Sequence, residues 1–193
     1  MKKNAKKQLQ DATWELIQKK GMKALRVQEI CQLAELSKVT FYYYYKNKHD
    51  IIENVLKEWI DEKLREAKDI MYQNTAFNIR VLDMVQWKAE FVKKISPVFL
   101  RELYESGGSY MNLLKDTMGE SQKLMNDFFT FGKENRDLNP DVDISTLIQW
   151  MNVISDATIE GKFDTLFDDP KKMHTQLSSL MLYGMMGNRE EKT

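Results

Sequence analysis

Apolar residues return at helical spacing along nearly the whole chain. Leu9, Ala12, Leu16 and Ile17 recur three and four positions apart, which puts them on one face of a helix. Gly21 follows Lys19 and Lys20 where a helix would end in a left-handed residue, so a first helix is predicted from about Asn4 to Lys20. After a short connector, Val27, Ile30, Cys31 and Ala34 mark a two-turn helix. Leu36 and Ser37 interrupt it, and residues 38–44 resume the pattern with Ser37 as the cap. Two short helices around a tight turn have the size and rhythm of a helix-turn-helix.

Asn47 is placed to cap a longer fourth helix, with Asp50 closing a capping box. Ile52, Val55, Leu56, Trp59, Ile60 and Leu64 supply its apolar stripe, and it is predicted to reach about Gln73 with no Pro, Gly or Ser-rich linker on the way. Further helices are expected over residues 77–94, 97–105, 109–135, 142–162 and 170–186. Breaks fall at Ser96-Pro97, Gly107-Gly108, Asn139-Pro140 and Asp168-Asp169-Pro170. No stretch alternates as a strand would. The expected fold is all-α, with about nine helices: a three-helix head over residues 1–47 and a helical body over 48–193, with helix four as the connector.

Composition narrows the chemistry. Only eight Gly and three Pro occur in 193 residues, which suits helix. The net charge is zero, but residues 1–48 hold eleven Lys/Arg against four Asp/Glu, so a head of +7 faces a remainder of −7. A basic module joined to an acidic one fits phosphate-backbone binding. The charged opening is followed by no apolar run of signal-peptide type, and no later stretch approaches a membrane span, so a soluble cytoplasmic protein is expected. One cysteine, Cys31, and two distant histidines, His49 and His174, exclude an internal disulfide and predict no metal site. Cys31 reads as a small core residue, and the histidines as solvated or capping groups. No nucleophile elbow, Gly-rich phosphate loop or acid–base constellation is present, and Asp141, Asp143, Asp168 and Asp169 read as helix-entry caps. Neither an enzyme nor a cofactor is expected.

The run Gly21, Val27-Gln28-Glu29-Ile30, Ala34-Glu35-Leu36-Ser37-Lys38, Thr40 to Tyr45, Asn47-Lys48 and Ile51-Ile52 resembles the head of the tetracycline-repressor (TetR) family of regulators. The motif covers roughly the first 55 residues; the remainder is similar in helix number and length. The resemblance implies that Lys38, Thr40, Tyr42, Tyr43 and Lys48 face DNA, mostly its phosphates, while the start of the recognition helix reads base edges. Gln28 and Ser37 join that set. Departures from the family pattern fall at Leu25-Arg26, where Arg26 is a substitute phosphate contact, at Glu35, and at Val39, whose methyls suit a thymine methyl. Glu35 stands where Gly is frequent, which implies either a strained left-handed residue or a relaxed turn. A helix cannot bury all of positions 42–45, so Phe41, Tyr44 and Tyr45 are expected to be packed and Tyr42 and Tyr43 exposed.

For the body the resemblance implies a dimer built by the last two helices and a cavity for an inducer. Leu147, Met151 and Ile154 on one stripe and Leu177, Leu180 and Met181 on the other are the expected dimer residues. Bulky side chains beyond one stripe per helix, namely Trp87, Phe91, Tyr104, Tyr110, Met118, Met125 and Phe128, are the expected ligand contacts. They suit a small hydrophobic ligand, or a cationic one if Glu90, Glu102 or Glu105 points inward. The expected function is a repressor that binds palindromic double-stranded operator DNA as a homodimer and is released by that ligand. The alternative is a DNA-binding protein without an inducer, acting structurally or through a protein partner.

Overall fold

The computed structural model describes residues 4–105, 109–159, 162, 163, 176, 177, 179, 180, 184 and 185. The side chains of residues 89, 92, 93, 100, 104, 109, 111–118, 155, 158 and 159 lie outside that description. The described residues form eight helices and no strand. They are α1 (Ala5–Lys20), α2 (Val27–Leu33), α3 (Lys38–Tyr44), α4 (Lys48–Met71), α5 (Phe77–Lys94), α6 (Pro97–Glu105), α7 (Ser109–Glu134) and α8 (Ile144–Ile159). The expected helix over residues 170–186 falls largely outside the described residues; those described within it are helical.

Local chemistry sets the helix starts. Asn4 caps α1 by accepting from the Lys6 N–H, and Asn47 Oδ1 accepts from the N–H groups of His49 and Asp50 at 2.8 and 3.1 Å. The expected capping box differs in one detail: Asp50 accepts from the Lys46 N–H, one residue before the cap. Helix α8 begins two residues later than the pattern predicted. There the Val142 N–H is taken by the Asn139 carbonyl, and Asp143 caps the helix through both the N–H and the hydroxyl of Thr146. Similarly, α4 stops at Met71, whose carbonyl accepts from Arg80. Glu35 adopts φ 56°, so the turn is the tight left-handed form, at a cost of about 1–2 kcal/mol for a residue with a Cβ.

The chain divides into two compact units. One comprises residues 1–65 and 94–119, the other residues 66–93 and 120–193. In the first, α1 packs on α2, α3 and α6. Leu9, Ile17, Leu25, Ile30, Phe41, Ile51 and Ile52 are excluded from solvent, and Trp14, Trp59 and Phe99 form an aromatic cluster with centroids 5.2–5.7 Å apart. In the second, Met71, Phe77, Val81, Phe128, Phe129, Leu138 and Ile148 form the core. Phe77 stacks on Phe128 at 4.9 Å. Arg80 lies 5.4–5.7 Å from the rings of Phe77, Phe128 and Phe131, a cation–π arrangement.

Gly132 on α7 is what lets the Phe77 ring approach, since a Cβ there would collide with it. Gly132→Ala should therefore lower the unfolding free energy by about 1–3 kcal/mol, the usual cost of overpacking. Denaturant unfolding would show this as a lower midpoint at unchanged slope; an unchanged midpoint would contradict it.

Candidate nucleic-acid interface

The turn between α2 and α3 positions the site. Ser37 Oγ accepts from the Thr40 N–H at 3.0 Å and lies 2.9 Å from the Thr40 hydroxyl, so both side chains secure the start of α3. Phe41 and Tyr45, four residues apart, turn into the core. Lys38, Val39, Tyr42 and Tyr43 are exposed, Val39 and Tyr43 each to 81%. They form one outward strip, with the Tyr42 ring edge-on to Phe41 at 5.3 Å. Tyr44 departs from expectation. It is 37% exposed rather than packed, because it lies about 100° around the helix from Tyr45, and its ring meets Tyr43 edge-on at 4.8 Å.

At the start of α2, the cap residue Arg26 and Gln28 are exposed. Arg26 occupies the cap position without a side-chain capping bond, as the missing hydroxyl predicts. Glu29 is engaged by Lys20 across the α1–α2 junction, and that hydrogen bond holds its carboxyl below the usual range.

Lys48 was expected on a phosphate. In the DNA-free chain its ammonium donates to the carbonyls of Lys23 and Leu25, at 3.1 and 3.3 Å. An ammonium has three donors, so it holds the α1–α2 loop and retains one N–H. His49 Nδ1 lies 2.8 Å from the Tyr110 hydroxyl, a contact between the starts of α4 and α7 that the pattern does not reveal. Cys31 is buried and its thiol is pushed up by burial against a smaller opposing effect of Lys38, which lowers its thiolate fraction. No group of three His, Cys, Asp or Glu able to hold a metal occurs among the described residues.

The expected ligand residues fall in both units. Trp87, Met125 and Phe128 share the core of the second unit, with Trp87 stacked on Phe91 at 5.6 Å and its indole N–H donated to Glu66. Tyr110 belongs to the first unit, buried. The side chains of Tyr104 and Met118 lie outside the described residues. Two acids proposed for a cation are committed elsewhere: Glu102 accepts from the N–H groups of Met22 and Lys23, and Glu105 pairs with Lys23 at 2.7 Å. Glu90 is exposed.

The expected dimer stripe of α8 faces its own unit. Leu147 is buried there and Met151 packs against that core, with Ile154 half-buried. Among the described side chains, the exposed large apolar residues of α8 are Trp150 and Val153, the latter 64% exposed. Their spacing of three residues was the available signal. Leu177 is half-buried, Leu180 is 69% exposed, and Met181 lies outside the described residues.

The described residues are all helical or loop, and the head presents an exposed strip on the second helix of a tight helix-turn-helix, the element that such motifs place in a major groove. Residues 9–55 match the family described as bacterial regulatory proteins, tetR family, so the head is similar to the heads of that family. The fold agrees over most of the length. FadR from Bacillus subtilis, solved with stearoyl-CoA, is 18% identical with a TM-score of 0.72, covering 92% of this chain and 98% of that one. Escherichia coli NemR in its reduced form is 13% identical with a TM-score of 0.74, covering 94% and 97%. The ketosteroid regulator KstR2 of Mycobacterium tuberculosis is 14% identical with a TM-score of 0.67, covering 97% of each chain. No curated protein sequence matches significantly.

Burial pushes Tyr45 and Tyr110 up to about 12 from 10.0. Their contribution to stability is complete below pH 10.0 and is lost as pH rises through about 12. The Tyr45 hydroxyl has no hydrogen-bond partner among the described residues, so Tyr45→Phe should leave neutral-pH stability intact. It should also make the alkaline fall in melting temperature shallower. A fall identical in wild type and variant would contradict this.

Proposed function

We propose that the chain is a ligand-responsive transcriptional repressor that binds palindromic double-stranded operator DNA as a homodimer and releases it when a small hydrophobic inducer binds. The observation that carries this reading is the outward strip of α3, where Val39 and Tyr43 stand exposed beside Lys38 and Tyr42 on a basic head. Large exposed apolar groups lose nothing by entering a groove, and they give a shape that phosphate contacts alone lack. Lys38 and the Tyr42 hydroxyl serve phosphate oxygens. Val39 meets a thymine methyl and Tyr43 a base edge, while Arg26 and Gln28 flank them from α2.

In this reading residues 1–47 are the DNA-binding domain and residues 48–193 the effector-binding and dimerisation domain. A second copy covers Trp150 and Val153 of α8, with Leu180 alongside. Trp87, Phe91, Met125 and Phe128 are the candidate ligand residues. The stearoyl-CoA bound by the Bacillus subtilis regulator supports a ligand with a long apolar part.

Selection from a random-sequence duplex library should yield a palindrome, bound more weakly as salt rises. Lys38→Ala and Tyr42→Ala should weaken binding to every sequence, with the Lys38 variant lowering the salt slope by about 1. Val39→Ala and Tyr43→Ala should change which sequence is selected. Light scattering should give twice the 22.8 kDa chain mass, and Trp150→Glu with Val153→Glu should abolish both dimer and operator binding. A wild-type monomer that binds DNA tightly would overturn the dimer. Hydrophobic compounds that raise the melting temperature yet leave the DNA complex intact would overturn the inducer, since equal affinity for both states shifts nothing.

A further inference from the structure

The α1–α2 loop, residues 21–26, is gripped from two sides within the first unit. Gly21 turns the chain at φ 84°, and a Cβ there would lie 2.6 Å from Glu102 Oε2. That same oxygen accepts from the backbone N–H groups of Met22 and Lys23. Glu102 is on α6 and only 8% exposed. Three residues on, Glu105 takes the Lys23 ammonium, and at the entrance of α6 the Ser96 N–H donates to Gln18 of α1 at 3.0 Å. On the other side, Lys48 of α4 holds the carbonyls of Lys23 and Leu25.

A buried carboxylate is costly unless hydrogen bonds compensate it. Here its partners are the two adjacent backbone N–H groups of Met22 and Lys23, which a charge can bind directionally and an apolar side chain cannot. The loop runs directly into Arg26 and α2, and α2 packs on α3. The loop's position therefore determines where the exposed strip stands.

We infer that Glu102 is a positioning residue for DNA binding: from α6 it fixes the α1–α2 loop, and through it the orientation of α2 and α3. The inference rests on the reading of the head as a DNA-binding module. Its test is fluorescence anisotropy with a duplex selected by the wild-type protein, for Glu102→Ala and Glu102→Gln. Circular dichroism and light scattering would be run on each sample, at a temperature well below every melting point.

Glu102→Ala should remain folded and of wild-type mass, yet lose roughly tenfold in affinity for the selected duplex, as expected when a bond to a buried N–H is lost. Glu102→Gln, whose amide oxygen can accept from the same two N–H groups, should bind within about threefold of wild type. If Glu102→Ala does not fold, Glu102→Met fills similar volume without an acceptor, and the same loss is expected of it. A purely structural role would lower the melting temperature and leave affinity at the wild-type value; that result overturns the inference alone. A wild-type protein that selects no sequence would overturn the DNA-binding reading and the inference with it.

Discussion

A helix of seven residues completes just under two turns, and at about 100° per residue only a narrow strip of it can face the rest of the head. In α3 that strip is taken by Phe41 and Tyr45, both sealed from solvent. Everything else about the site follows from this constraint. With positions 41 and 45 inward, positions 39 and 43 must point out, and two large apolar residues are left exposed where they contribute little to the chain's own packing. The Ser37 cap sets the register by fixing where the helix begins, and the left-handed Glu35 sets the angle at which it leaves α2. Tyr44, displaced from the core by the same arithmetic, gives Tyr43 an edge to rest against.

Much of the head's charge is spent internally. Lys48 is bound to carbonyls, Lys20 to Glu29 and Lys23 to Glu105. Surface pairs of this kind add little stability singly, but they decide which cations remain available outward. Lys38 and Arg26 are exposed beside the strip, and in the proposed reading their charge serves phosphate contact.

Helix bounds were legible because caps are local. Gly21, Ser37 and Asn47 each announce an end or a start within a few residues, and Phe77–Lys94 and Pro97–Glu105 fall where the apolar spacing put them. What could not be read depends on distant partners. Lys48 at a helix start looks the same whether it reaches a phosphate or a carbonyl 25 residues back. Glu102 and Met22 are 80 positions apart, and His49 and Tyr110 are 61 apart. Periodicity also identified an apolar stripe on α8 without saying which cover it receives. Ile144, Leu147, Ile148 and Met151 turned out to pack within their own unit, leaving Trp150 and Val153 outside.

The most direct test of the account is methylation protection on a duplex selected by the wild-type protein, which reports major-groove and minor-groove contact separately. If α3 is the reading helix of a two-fold dimer, guanine N7 positions should be protected in two patches. Their centres should lie about 34–36 Å apart or a multiple of that. Protection confined to the minor groove, or a single unpaired patch, would contradict it.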